Sequence, residues 1–312
     1  MTKLAALSAK PEIREYAQGA AQDALSKLKV ATFLAPNVPV SGTVGRYKKY
    51  DEKNRFRIPR TLRANGGRAT ELGFTAEDQT YNLAAHALDF PVDQMEMEDE
   101  GTLIDLLKEG ADMVAEVSAL SHEKTVVDLA LSALGSGTAF AIPDGTDPIK
   151  LLDGHILDVL KSAKYGSLMG IRVLMGAGAF LKFKNHPKVT GKFTSNAKGA
   201  SNPQVSTDML SSLLITEPEV LTTYSVYDDA AEGIAEDIKF VLNDNIIVFA
   251  CKGNPTRRDP SFMKTFVKRG AFMVPGSYVR DDGRVEVAKY DWQVDPKVTN
   301  APAAIRLNVT DA

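Results

Sequence analysis

The chain predicts an α+β fold, and three observations carry that reading. One helical signal, from Thr102 to Leu134, is the longest in the chain. Strand-like stretches lie before and after a central block that mixes short helices with strands. The last part reads as antiparallel, with a hairpin turn at Asp282 and Gly283 and a final alternating strand. With 312 residues the chain can bury a full core in one large domain or two ordinary ones. Its 44% hydrophobic and 25% charged content is that of an ordinary globular protein.

Taken in order, residues 1–41 read as an arm. Tyr16, Ala20, Ala24 and Leu28, spaced by four, predict a short helix over Pro11 to Leu28. The chain is then expected to be extended through ATFLAPNVPV, because Pro36 and Pro39 exclude helix and restrict the residues before them. Arg55, Phe56, Arg57 and Ile58 alternate charged and apolar, the period of a strand. Asn65, Gly66 and Gly67 signal a turn, and Glu71 to Tyr81 returns, with Tyr81, Leu83, Ala85 and Ala87 on one face. The result is a long hairpin with little to bury, so it should lie on another surface.

The long helix starts at a Thr102/Asp105 capping arrangement and carries Leu103, Leu106, Leu107, Val114, Val117 and Leu120 as its buried stripe. Gly135, Ser136 and Gly137 end it, and Asp147 followed by Pro148 starts a second amphipathic helix running to about Ala163. Ile171 to Met175 reads as a strand and Ala177 to Asn185 as a helix, while the polar stretch Lys188 to Val205 reads as an exposed loop. A helix at Thr207 to Leu214, strands at Glu219 to Val226 and Asn245 to Cys251, and the antiparallel segments from Phe262 onward complete the chain, ending in a strand near Ala304 to Val309.

Charge is segregated although the net charge is only −3. From Arg46 to Arg68 there are nine basic residues (Arg46, Lys48, Lys49, Lys53, Arg55, Arg57, Arg60, Arg63, Arg68) against Asp51 and Glu52. From Asp89 to Glu116 there are ten acids, among them Glu96, Glu98, Asp99, Glu100, Asp105 and Glu109, against Lys108 alone. Opposite blocks of this kind give association rate and register. The acidic block is the expected acceptor of the basic arm, in the same chain or a neighbour. Tyr47, Tyr50 and Phe56 among the cations also fit a grip on single-stranded nucleic acid, but the acidic block would compete for the arm.

No active site is indicated. The four histidines, His86, His122, His155 and His186, have no metal-ligand spacing. Gly176-Ala177-Gly178 has the outline of a dinucleotide turn, but Leu181 stands where the third small residue is needed, so a helix-start turn is the simpler reading. Gly166-Ser167-Leu168-Met169-Gly170 is not a nucleophile elbow, and no phosphate-binding loop is present. No cofactor, metal ligand or catalytic residue is assigned. The single Cys251 lies in a buried-strand context and makes no internal disulfide. With no apolar run of membrane-spanning length and no convincing secretory segment, the chain is expected to be made and used, or assembled, in the cytoplasm and not in a membrane.

The succession APNVPV, RFRIPRTLRANGGRATE, QTYNLAAHALDFPV and LSHEKTVVDLAL, followed by MGAGAFLKFKNHPKV, ITEPEVLTTYSVYDDA and DNIIVFACKGNPTRRDPSF, resembles tailed-phage major capsid proteins of the Hong Kong 97 type across essentially the whole chain. That resemblance implies an N-terminal arm (1–41), an extended β-hairpin loop (42–79), a peripheral domain (80–146 and 277–312) with a spine helix (102–134), and an axial domain (147–276). It implies a homo-oligomer of hexamers and pentamers in a closed icosahedral shell, with the loop lying over a neighbour's peripheral domain. It also implies packaged double-stranded DNA held without sequence preference, a portal and, in some members, decoration proteins. Only about 40 residues precede the loop, so a separate scaffolding protein is expected. Lys48, Lys49 and Lys53 are placed where some members cross-link, without an isopeptide bond being assigned. An encapsulin-like shell around protein cargo is the same-fold alternative, and an α+β enzyme without a recognisable site the different-class one.

Overall fold

The structure, a computed structural model, describes residues 11–50, 58, 61–63, 65–71, 76–93, 103–164, 169–194, 205–231, 233–270, 272–281 and 283–310. Helix α1 (Pro11–Lys27) buries the small residues Ala17, Ala21 and Ala24, which let it lie close on a neighbouring helix. The segment expected to be extended from Ala31 instead forms a short helix, α2 (Val30–Leu34), before β1 (Asn37–Val40). Tertiary contacts override the local preference there. Phe33 meets Phe249 edge-on with ring centroids 5.6 Å apart, and the Glu123 carboxylate accepts a hydrogen bond from the Val30 amide at 3.3 Å.

Strands β2 (Val44–Tyr50) and β3 (Ala76–Asn82) pair antiparallel from Val44↔Asn82 to Tyr50↔Ala76, forming the stem of the expected hairpin. Arg55, Phe56 and Arg57 lie outside the described residues, and Ile58 belongs to no strand. Gly66, at φ 81°, supplies the left-handed backbone of the expected turn. The predicted alternation from Tyr81 to Ala87 fails after Leu83. Tyr81 and Leu83 are buried, yet Ala85 and Ala87 are exposed, and in β4 (Ala84–Asp93) the inward positions become Leu88, Phe90 and Val92. Leu83 breaks the ladder between β3 and β4, and a one-residue shift exchanges the two faces.

The long helix α3 (Leu103–Leu134) lies where the sequence places it, although Thr102 is outside the described residues. Its buried stripe is made of smaller residues than expected. Leu107, Ala111, Val114, Ala115 and Ala119 are buried, whereas Val117 is 46% exposed. The cause is close packing: α1 lies along α3, and a Cβ on Gly110 would stand 2.2 Å from a Phe90 ring carbon. Gly135 and Gly137, at φ 64° and 72°, end the helix and lead into β5 (Thr138–Ala141). Asp147 caps α4 (Pro148–Ala163) by accepting from the Ile149 amide at 3.1 Å.

Strand β6 (Ile171–Met175) runs into α5 (Ala177–Asn185), and the turn between them has a packing reason, since a Cβ on Gly176 would lie 2.0 Å from the Asn243 carbonyl oxygen. Where an exposed loop was expected from Lys188, helix α6 (Pro187–Thr194) forms and buries Val189; residues 195–204 are outside the described residues. Pro187 at its first position and the His186 carbonyl, which accepts from Thr190, start it. Helix α7 (Thr207–Leu213), β7 (Glu219–Thr222), the small ribbon of β8 (Val226–Asp228) and β9 (Ile238–Phe240), and β10 (Asn245–Ala250), apolar and buried after Asn245, follow. The chain ends with β11 (Met263–Lys268), β12 (Val274–Val279), β13 (Val285–Val298) and β14 (Ala304–Thr310).

Two five-stranded sheets organise these elements. One has the order β1-β11-β13-β12, with β4 also on β13; the other has the order β5-β14-β10-β6-β7. The sheets draw strands from both sides of residues 147 and 276: β11 and β12 join β13 and β4, and the C-terminal β14 lies between β5 and β10. The larger core packs α2, α4, α5 and the end of α3 around β10, and a second core joins α1 and α3 to Tyr290, Trp292 and Val294 of β13.

Candidate assembly interface

The hairpin leaves the body at a root built from aromatic rings. Tyr81 stacks on Phe266 at 4.8 Å between centroids, and Tyr47 lies against the same ring at 5.2 Å. A Cβ on Gly45 would stand 2.3 Å from the Tyr81 hydroxyl, so the close approach of β2 needs glycine. The Asn82 amide donates to the Asp295 carboxylate at 2.8 Å, and the Leu83 amide to the Thr43 carbonyl at 2.8 Å. Burial pushes the Tyr47 hydroxyl above its ordinary pKa, with the Asp295 charge adding to the effect.

A loop tied by buried polar contacts lies beside this root. Lys264, 1% exposed, donates from Nζ to the carbonyls of Thr256 at 2.7 Å and Asp259 at 2.5 Å, and pairs with the Asp259 carboxylate at 3.3 Å. Burial lowers the Lys264 pKa against the opposing pull of Asp259. Burial also works to raise that of Asp259, but Lys264 and the hydrogen bonds from Ser261 and Thr256 outweigh it and hold the carboxyl below its usual range. The Arg257 guanidinium on the same loop lies 5.9 Å from the centroid of the Tyr81 ring.

Beyond the root the charge is less one-sided than the basic run suggests. Lys48 stands in register with Asp78 and Lys49 with Glu77, so the return strand sets acids directly across from the stem lysines. Over residues 42–79 as a whole, nine basic residues face five acidic ones. Arg46 on β2, and Arg63 and Arg68 beyond the stem, are exposed; Arg55 and Arg60, like Arg57, lie outside the described residues. Of the expected acceptors, Glu109 is exposed on α3 and Asp105 lies in its first turns, while Glu96, Glu98, Asp99 and Glu100 are outside the described residues. Two other acids of the block are engaged within the chain. Asp112 accepts from the Tyr16 hydroxyl at 2.7 Å, and Asp89 from that of Tyr278 at 3.0 Å.

Tyr81 lay in view in the sequence as an alternating position and Tyr47 as an aromatic among the cations, but their partner Phe266 is some two hundred residues away and carried no signal. The same holds for a buried polar group on α3. His122, 4% exposed with Nε2 unbonded among the described residues, has its pKa lowered to about 4 by burial, reinforced by His86. Burial raises the pKa of its fully buried neighbour Glu123.

Solved structures share this arrangement over nearly the whole chain. A phage-related protein from Bordetella bronchiseptica RB50 superposes with a TM-score of 0.69 over 98% of each chain at 19% identity. The mature capsid of bacteriophage PhiM1 gives 0.55 over 90% of this chain and 87% of that one, at 9% identity. This is the Hong Kong 97-type capsid fold. The SrpI encapsulin of Synechococcus elongatus PCC 7942 shares it, with a TM-score of 0.55 over 90% of this chain and 86% of that one, at 11% identity. In sequence, the major capsid protein of Pseudomonas phage JBD67 is 26% identical over 165 residues, 51% of this chain and 52% of that protein. The chain thus spans about half the length of the curated relative it matches. No family model matches it.

Proposed function

We propose that the chain is the structural subunit of an icosahedral phage capsid, with no catalytic role, that assembles into hexamers and pentamers around a double-stranded DNA genome. The observation that carries this reading is the capsid fold over nine-tenths or more of the chain, together with sequence similarity to a phage major capsid protein. In this reading residues 1–41 are the arm, 42–79 the extended loop, 80–146 with 277–312 the peripheral domain and 147–276 the axial domain. The loop cations Arg46, Lys48, Lys49, Arg55, Arg57, Arg60, Arg63 and Arg68 reach an acidic surface of an adjacent copy in the stretch from Glu96 to Glu109. Each exposed ion pair contributes about 0–1 kcal/mol, so cohesion comes from many repeated contacts and from buried apolar area. The partners of such a shell are a separate scaffolding protein, a portal and decoration proteins, and its location is the virion after assembly in the bacterial cytoplasm.

Negative-stain electron microscopy of the purified chain, alone and co-expressed with its genomic neighbours, tests the reading. Closed shells or capsomer rings are expected, and a monomer under every condition would end it. The encapsulin likeness makes a protein-filled compartment the second reading, because one fold serves both cargoes. Nucleic acid recovered from nuclease-treated shells distinguishes a genome container from a protein container.

A further inference from the structure

We propose that Asn65 is a self-modifying site, where attack by the Gly66 backbone nitrogen on the Asn65 side-chain carbonyl converts the carboxamide to a carboxylate with water as the only co-reactant. The two residues form a turn beyond the β2–β3 stem, and both are exposed. They are the one Asn-Gly pair in the chain. Closure of the five-membered imide brings the following amide nitrogen onto the side-chain carbonyl carbon, and a side chain on that following residue crowds the approach. Gly66 has none, stands at φ 81°, and a Cβ built on it would meet nothing within 4 Å beyond its chain neighbours. Neither the Asn65 carboxamide nor the Gly66 amide is held by a hydrogen bond among the described residues.

Asparagines in the body of the molecule are restrained where Asn65 is not. Asn243 Oδ1 accepts from the Gly178 amide at 3.1 Å, and Asn245 Oδ1 from Arg306 Nε at 2.9 Å. Asn300 Nδ2 donates to the Pro260 carbonyl at 3.0 Å, and Asn308 Nδ2 to that of Ser136 at 2.6 Å. Each bond ties the carboxamide across the fold. Asp153 is also followed by a glycine, but it lies within α4, where the next amide belongs to the helical ladder, and its carboxylate accepts from the Ile215 amide at 2.9 Å.

The step balances without an oxidant or a cofactor. The Gly66 nitrogen gives its proton to solvent and bonds to Asn65 Cγ; the Cγ–Nδ2 bond breaks, and Nδ2 takes up a proton and leaves as ammonia. Water then opens the imide. Cleavage at Cγ gives aspartate, and cleavage at the main-chain carbonyl gives isoaspartate, whose backbone runs through the side chain. One water is consumed and one ammonia released. Arg63 and Arg68 on either side favour the anionic form of the attacking nitrogen. The new carboxylate raises the five acids of residues 42–79 to six against nine basic residues, so the loop of an aged chain differs in charge from that of a new one.

Peptide mapping by mass spectrometry of the purified chain, held in neutral to mildly alkaline buffer, tests the site. Trypsin cuts after Arg63 and Arg68 and isolates residues 64–68. That peptide is expected to exchange its amide for a hydroxyl with time, as two separable products of equal mass. Its rate should lie within about tenfold of the same sequence in a free peptide, because little packing restrains the turn. Isoaspartate is the signature of the imide, so aspartate as the sole product would overturn the Gly66 step. Asn65 left intact while the free peptide converts, or conversion of Asn243, Asn245, Asn300 or Asn308 before it, would overturn the proposal. Asn65→Gln, which would have to close a six-membered ring, should stop the change at 64–68 and leave the rest of the map as it was; an undiminished rate there would count against it.

Discussion

The sheet around β10 and the β2–β3 hairpin are both built from β-strands, but they draw their stability from different sources. Ile246, Ile247, Val248 and Phe249 of β10 are fully buried, with β14 on one side, β6 on the other and helices over the faces. The hairpin is held at one end, where Tyr47 and Tyr81 meet Phe266, and its far end presents Ile58 and Leu62 to solvent. A two-stranded ribbon is marginal in water by itself, so within the monomer the hairpin depends on its root. In the proposed shell one region serves folding and the other association, and substitutions should separate the two.

The largest loss of stability is expected in the sheet. Phe249→Ala removes a buried ring that touches Phe33 and Phe262, and should cost about 3–5 kcal/mol in denaturant unfolding of the monomer. A cost below about 1 kcal/mol would mean the sheet is not the centre of the fold. Asp259→Ala comes next, because it leaves the buried Lys264 ammonium without its counter-charge; about 3 kcal/mol is expected from the same measurement. At the root, Tyr81→Leu keeps apolar bulk and loses the stack on Phe266, about 1 kcal/mol, with assembly weakened more than folding.

Two smaller effects sharpen the contrast. His122 has a folded pKa of about 4, below its unfolded value, so its contribution is fully present above pH 6.5 and is lost as pH falls from there through 4. Glu123, with its pKa raised, acts in the opposite sense and penalises the fold as pH rises above the ordinary carboxylate range. Thermal midpoints against pH should therefore show a slope between pH 6.5 and 4 that flattens in His122→Gln; an unchanged slope would assign it elsewhere. The smallest effect on the monomer is expected from the hairpin. Reversal of Arg55, Arg57 and Arg60 to Glu should change unfolding by about 0.5 kcal/mol or less, yet abolish shells in the microscope. An unfolded triple variant, or normal shells, would contradict the division of labour.

Much of the architecture was legible wherever the signal is local. Asp147 before Pro148, the glycines after Leu134 and the apolar run at Asn245 each state their own structure through capping, φ > 0 and burial. The basic run marked the hairpin, and the opposite charge of its surroundings suggested a partner. The return-strand acids Asp78 and Glu77 were equally visible, but their position across from Lys48 and Lys49 depends on a register that composition does not report.

What the sequence by itself determined, then, are the elements whose signals are written within a few residues: the extent of the long helix, the capped α4, the buried β10 and the turn at Gly66 of a charged hairpin. Tertiary structure alone decided the helical turn at Val30–Leu34, the face exchange at Leu83, the burial of Lys264 and the insertion of β14 between β5 and β10. In three of these the deciding group comes from far along the chain: Glu123 and Phe249 for α2, Asp295 for the amide of Asn82 beside Leu83, and β10 with β5 for the last strand. For Lys264 the partner Asp259 is near, but what makes the pair necessary is the packing that excludes water from it. A side chain's neighbours in space set its energy, and only the folded chain brings those neighbours together.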